Sequence, residues 1–150
     1  MRFLNSNALH VAAMAALALV VTAALAEASE VKISDAWIRA LPAGLPAGGY
    51  FTLHNNEAKS LTLTGAQSKS CGMLMLHKSS DMGGMMHMDD VAKVDVPPHG
   101  TLKFAPGGYH LMCMEPSAEI KPGSTASVTL TFADGSSVTA PFAVRSASGR

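Results

Sequence analysis

Residues 127–144 read Ser-Val-Thr-Leu-Thr-Phe-Ala-Asp-Gly-Ser-Ser-Val-Thr-Ala-Pro-Phe-Ala-Val. Val128, Leu130 and Phe132 alternate with other residues, Asp134-Gly135 supplies a turn, and Val138, Ala140, Phe142 and Val144 alternate again. A period of two puts each apolar set on one face of a strand, and Asp-Gly between two such runs is a strong hairpin signal. The same punctuation runs upstream: short stretches rich in β-branched or aromatic residues, broken by Gly, Pro, Asn or Asp. Strands are predicted over 31–40, 49–54, 61–67, 72–77, 92–96, 101–104, 109–114, 125–131 and 137–144. No long helix is predicted. The pattern predicts an all-β sandwich or Greek-key barrel of seven to nine strands. Residues 40–48, Ala-Leu-Pro-Ala-Gly-Leu-Pro-Ala-Gly, read as an exposed loop, and residues 81–90 as a Gly-broken, Met-rich loop.

A chain of 150 residues with 48% hydrophobic residues has room for one ordinary domain. Eleven basic and eleven acidic residues cancel, so no strong field points to nucleic acid or an acidic surface. At the N-terminus, Arg2 precedes an uncharged run from Val11 to Ala26 that ends in Ala24-Leu25-Ala26. A positive start, a short apolar stretch and small residues at the end are the marks of a secretory signal. The expected organisation is a signal over 1–26 and one domain over 27–150, exported or periplasmic, monomeric, and with no membrane anchor once the signal is removed. Removal takes away Arg2 and no acid, so the mature net charge becomes 10 − 11 = −1. In an oxidising compartment Cys71 and Cys113 are candidates for a disulfide, with buried free thiols and metal ligation as the alternatives.

Methionine is the distinctive residue. Of ten, eight fall between Met73 and Met114, together with His77, His87, His99 and His110. A lone strand methionine is ordinarily a core filler. That reading fits poorly where 81–90 reads Asp-Met-Gly-Gly-Met-Met-His-Met-Asp-Asp, because acids and glycines leave no periodic face to bury. Thioether and imidazole are neutral ligands that suit Cu(I), whereas calcium, magnesium and structural zinc would call for carboxylate or paired Cys and His patterns. His110 and Met112 stand two apart on a predicted strand and so share a face. His77 ends another strand and Met88 follows the glycines. Met86 and His87 are accessory candidates, with His87 pointing away from Met88 if the segment is extended.

The spacing His77-x10-Met88-x21-His110-x-Met112, with 107–112 reading Gly-Gly-Tyr-His-Leu-Met, resembles the motif of the periplasmic PCuAC copper chaperones. Residues 35–40, Asp-Ala-Trp-Ile-Arg-Ala, and 47–51, Ala-Gly-Gly-Tyr-Phe, resemble the family's opening, and the terminal hairpin its close. The resemblance implies a cupredoxin-like β-fold and one exposed copper(I) held by His77, Met88, His110 and Met112. It also implies delivery of copper to the CuA centre of cytochrome c oxidase subunit II, or exchange with another copper chaperone. An aliphatic residue stands in many members where this chain has Cys113, and the Met- and His-rich C-terminal extension of some members is missing.

Two other functions compete with the carrier. An electron-transfer cupredoxin would need a His2Cys core, and no His follows Cys113. A copper-buffering or resistance protein would share the whole site. An enzyme is not expected, since no nucleophile, base and orienting group are apparent together.

Overall fold

The alternation of 127–144 becomes a hairpin of β9 (Thr125–Phe132) and β10 (Ser137–Arg145), with Val128 opposite Ala140 and Ala126 opposite Phe142. Ala126, Val128, Leu130, Phe132, Phe142 and Val144 are buried, and Gly135 takes the positive φ of 85° that the turn needs. The computed structural model describes residue 28 and residues 30–150, so the expected signal segment lies outside the described residues.

Eight further strands complete the sheet. They are β1 (Val31–Arg39), β2 (Ala47–Asn55), β3 (Leu61–Gln67), β4 (Cys71–Met82), β5 (Met85–Asp90), β6 (Val94–Val96), β7 (Thr101–Phe104) and β8 (Tyr109–Pro116). The hydrogen-bonded path runs β5-β4-β8-β2-β1-β10-β9-β3-β6, with β7 also pairing to β2. Along this path β1 and β10 are parallel, and the other pairings are antiparallel. The path curls until β3 lies alongside β4 with no ladder between them, which closes a sandwich. Its interior is built on Phe51, whose ring centroid stands 4.5 Å from that of Phe104 and 5.8 Å from that of Phe142. Around these rings pack Leu53, Leu63, Leu111, Val128 and Leu130, all fully buried. The all-β expectation holds.

Two local readings of the sequence need correction. Ten strands form instead of seven to nine, and the additional one is β5, in the segment read as a loop. Gly83 and Gly84 have φ of 68° and 88°, the conformation of a two-residue hairpin turn, and Asp81 Oδ1 accepts the Gly84 N–H at 2.9 Å. β4 therefore runs on past His77 to Met82, which pairs with Met85. Every residue of β5 is exposed, so no apolar alternation marks the strand. In the 40–48 segment, a single 3-10 turn at Pro42–Gly44 precedes a β2 that already begins at Ala47.

Cys71 and Cys113 are joined by a disulfide with a Cα–Cα distance of 5.4 Å, and no described cysteine is free. The bond closes a loop of sequence separation 42 that contains all of β5 and most of β4. Loop-closure entropy for a ring of this size amounts to about 4 kcal/mol. Replacing both cysteines by Ala should lower the urea unfolding free energy by about that amount; unchanged stability would show that the bridge does not constrain the unfolded chain.

Candidate functional site

The site is built by the register of β4 on β8, in which Met73 faces Met114, Met75 faces Met112, and His77 faces His110. Directly opposed residues of an antiparallel pair project to the same side. The intervening Leu76, Leu111 and Cys113 are buried, and Leu74 packs on the core, so the Met and His rungs line the outer face. β5 extends this face, with Asp90 opposite His77 and Met88 opposite Ser79. Three adjacent strands thus bring His77, Met88, His110 and Met112 to neighbouring positions on one side. The His77 and His110 rings meet edge-on, 5.6 Å between centroids at 69°.

His110 is the anchored member. Only 5% exposed, it donates from Nδ1 to the Gly108 carbonyl at 3.2 Å, which leaves Nε2 as a buried lone pair with no protein partner. The turn that aims it is local: the Gly108 N–H donates to the Ala105 carbonyl and the Ala105 N–H to the Tyr109 carbonyl, with Gly107 at φ 84°. Burial holds the His110 pKa below the ordinary value; the Gly108 hydrogen bond opposes this, and the nearby His77 adds to it. The ring is therefore kept neutral, the form that binds a metal.

His77 also has both ring nitrogens buried without a hydrogen bond. Asp90 Oδ1 lies 2.9 Å from its Nε2, at ion-pair distance but without hydrogen-bond geometry. A buried polar atom left unpaired costs about 1–3 kcal/mol, so the unprotonated nitrogen of each ring suits a group that accepts its one lone pair. Met112 is half-buried beside Gly48 of β2, its ladder partner, and the Tyr50 hydroxyl comes within 2.6 Å of where a Gly48 Cβ would stand. A larger residue at 48 would have to displace the Tyr50 ring, which stands over this position beside Met112. Met88 is 59% exposed on β5.

The accessory pair is separated. Met86 lies opposite Asp81 on the Met88 face, farther along the hairpin, whereas His87 lies opposite Ser80 on the other face with Met82 and Met85. His54 is half-buried between the Ser34 hydroxyl at 3.0 Å and the Thr101 hydroxyl at 3.4 Å. Met73, Met75 and Met114 share the candidate face although sequence reasoning assigned them nothing. The signal was available, because 73, 75 and 77, like 110, 112 and 114, are alternate positions of one strand.

Among the described residues no three His, Cys, Asp or Glu side chains converge as a metal would require, so a centre here must count methionine. A separate polar groove of 620 Å³, lined by Gln67, Lys69, Glu119 and Thr125 among others, contains none of the four candidate residues.

Comparison with known proteins adds the following. The LpqE-like lipoprotein family model matches residues 31–144. Lxx21020 of Leifsonia xyli subsp. xyli, which carries a lipoprotein name, is 34% identical over 119 residues, covering 79% of this chain and 70% of that relative. Among solved structures, the copper-bound PCuAC domain from PmoF2 superposes with a TM-score of 0.64 at 25% identity, covering 78% of this chain and 93% of the domain. The Cu(I) form of DR1885 from Deinococcus radiodurans gives 0.60 at 30% identity, covering 73% of this chain and 74% of that one. The sandwich is therefore of the cupredoxin-like PCuAC type.

The depressed His110 pKa links stability to pH. Above its ordinary value of 6.5 both folded and unfolded chains carry neutral His110. As pH falls through that value, the unfolded chain takes up a proton that the folded chain resists, and stability is lost until the folded form protonates as well. Without metal, the urea midpoint should fall more between about pH 7.5 and about pH 5.5 in the native protein than in His110→Gln. Equal falls would remove His110 as the source.

Proposed function

The chain belongs to the LpqE-like family, and from that premise we propose that it is a periplasmic carrier of copper(I), bound by His77, Met88, His110 and Met112. One observation carries the reading: two imidazoles, each with a buried nitrogen that makes no hydrogen bond, share an outer sheet face with thioethers on adjoining strands. Two neutral nitrogens and two neutral sulfurs suit a soft monovalent ion. The Cu(I) form of DR1885 and the copper-bound PmoF2 domain, alike in fold, support copper as the cargo.

Release follows from what the ligand set leaves out. Both cysteines are tied in a disulfide, and Cys113 faces the interior, so no thiolate holds the ion. An acceptor that offers thiolates then has the stronger soft ligands. The same bond disfavours an electron-transfer centre, which needs a cysteine ligand. Met88 rides on the β4–β5 hairpin, which has no third strand beyond the Lys78–Tyr109 rung. It can withdraw while His110 and Met112 keep their places in the sheet.

As acceptor we propose the CuA site of cytochrome c oxidase subunit II, on the strength of the PCuAC motif. Exchange with another copper chaperone would use the same face. The lipoprotein name of a relative supports export, and no described helix is long and apolar enough to cross a membrane. The carrier is not an enzyme in this reading, because all four ligand positions serve to hold the cargo.

In competition with a Cu(I) chelator, Met112→Ala should weaken binding by about tenfold or more, whereas Met86→Ala should change it less than about threefold. Equal losses would mean that the methionines are interchangeable. Mixing the Cu(I)-loaded protein with an apo CuA domain should move copper to that domain. Retention of copper while the acceptor stays open would instead indicate storage.

A further inference from the structure

Besides Met86 on the hairpin, three methionines of β4 and β8 on the candidate face take no part in the four-ligand site. On β4 and β8 the same-face rungs run Met73–Met114, Met75–Met112 and His77–His110, so the imidazole pair continues into a block of four thioethers. Opposed Cβ atoms in such a ladder are about 4.5–5.5 Å apart, and same-face neighbours along a strand about 6.5–7 Å. Each methionine sulfur sits two bonds beyond Cβ on a side chain with three rotatable torsions. The sulfurs of Met73, Met75 and Met114 can therefore converge on one ion at bond lengths of roughly 2.3 Å.

Covering the core does not explain them. Leu74, Leu76, Leu111 and Cys113 supply the inward side of these strands, while Met73 is 57% exposed and Met75 and Met114 are half-buried on the outer side. Of the five exposed methionines among the described residues, Met73 belongs to this block, and Met82, Met85, Met86 and Met88 stand on the β4–β5 hairpin. Strand positions open to water ordinarily favour β-branched or polar residues over a flexible thioether.

We infer that Met73, Met75 and Met114 form a second, all-thioether site for a soft monovalent cation, joined to the four-ligand site through the Met75–Met112 rung. The inference rests on copper(I) as the cargo and adds a station to the carrier. Passage between the two sites is stepwise ligand exchange: the ion stays Cu(I), Met75 enters its shell as Met88 and the imidazoles of His77 and His110 leave, Met73 and Met114 then bind as Met112 departs last, and no proton or electron moves. Lacking imidazole, the second site fills after the first.

The test is an anaerobic titration of the apo protein with Cu(I) against a competing chelator, with X-ray absorption after one and after two equivalents. The native protein should bind two ions, the second with sulfur-only neighbours. The variant Met73→Leu, Met75→Leu, Met114→Leu, which conserves apolar volume, should bind one ion with the first affinity unchanged within about twofold. In the native protein labelled at its methionine methyls and titrated with Ag(I), the Met73, Met75 and Met114 signals should move in the second phase, a readout that needs no variant. Saturation at one ion overturns the inference. So does a second ion retained by the triple variant, which would locate it at Met82, Met85 and His87. Failure of the carrier reading would look different, as loss of the first, nitrogen-containing ion from native protein and variant alike.

Discussion

The register of β4 against β8 is the constraint on which the candidate site depends. A slip of β4 by one residue would turn Met73, Met75 and His77 inward and bring Leu74 and Leu76 out. Each leucine returned to water forfeits about 1.5–3 kcal/mol, and each buried imidazole left unpaired adds to the loss. The core side of the two strands thus determines the alignment of the outer side. The Cys71–Cys113 disulfide ties the start of β4 to the middle of β8, so the alignment has a covalent support in addition to its apolar one. The candidate ligands are ordered here by side chains that face the core.

The site is unevenly supported, and the unevenness suits a carrier. His110 is held by the Gly108 carbonyl within a tight turn, and behind it Phe104 and Tyr109 stack at 5.5 Å. A backbone acceptor on the far ring nitrogen fixes the tautomer and presents the other nitrogen, as outer-shell partners of metal ligands commonly do. Met112 sits against Gly48 under the wall made by Tyr50. Met88 has only its β4 partner strand to restrain it and is open to solvent. Segments with few buried contacts open most readily. One half of the site therefore keeps its geometry while the other half gives access.

Much of this was legible in the residues, for a physical reason that also marks where legibility stopped. Alternation exposes a strand when one of its faces is buried, and 125–132, 137–145 and 109–116 all have such faces. The two-residue period was enough to put His110 and Met112 on one side. β5 has no buried face, so its strand character is carried by the Gly83-Gly84 turn and by pairing to β4, neither of which alternation reports. The same gap separated Met86 from His87, neighbours in a presumed loop that a strand sends to opposite sides. Met73, Met75 and Met114 went unassigned because a methionine on a strand is ordinarily packing, although their alternation with His77 and His110 already put them on the same face.

Because most of the methionine rungs stand on the solvent side of a sheet whose stability comes from its other side, chemistry and architecture are nearly separate alphabets written on the same two strands. Exchanging a sulfur for an imidazole at 73, 75, 112 or 114 would leave the leucine rows beneath unchanged. A lineage can therefore explore different cargo preferences, rung by rung, without first rebuilding its chassis. His110 is the exception, since its burial enrols it in both alphabets at once.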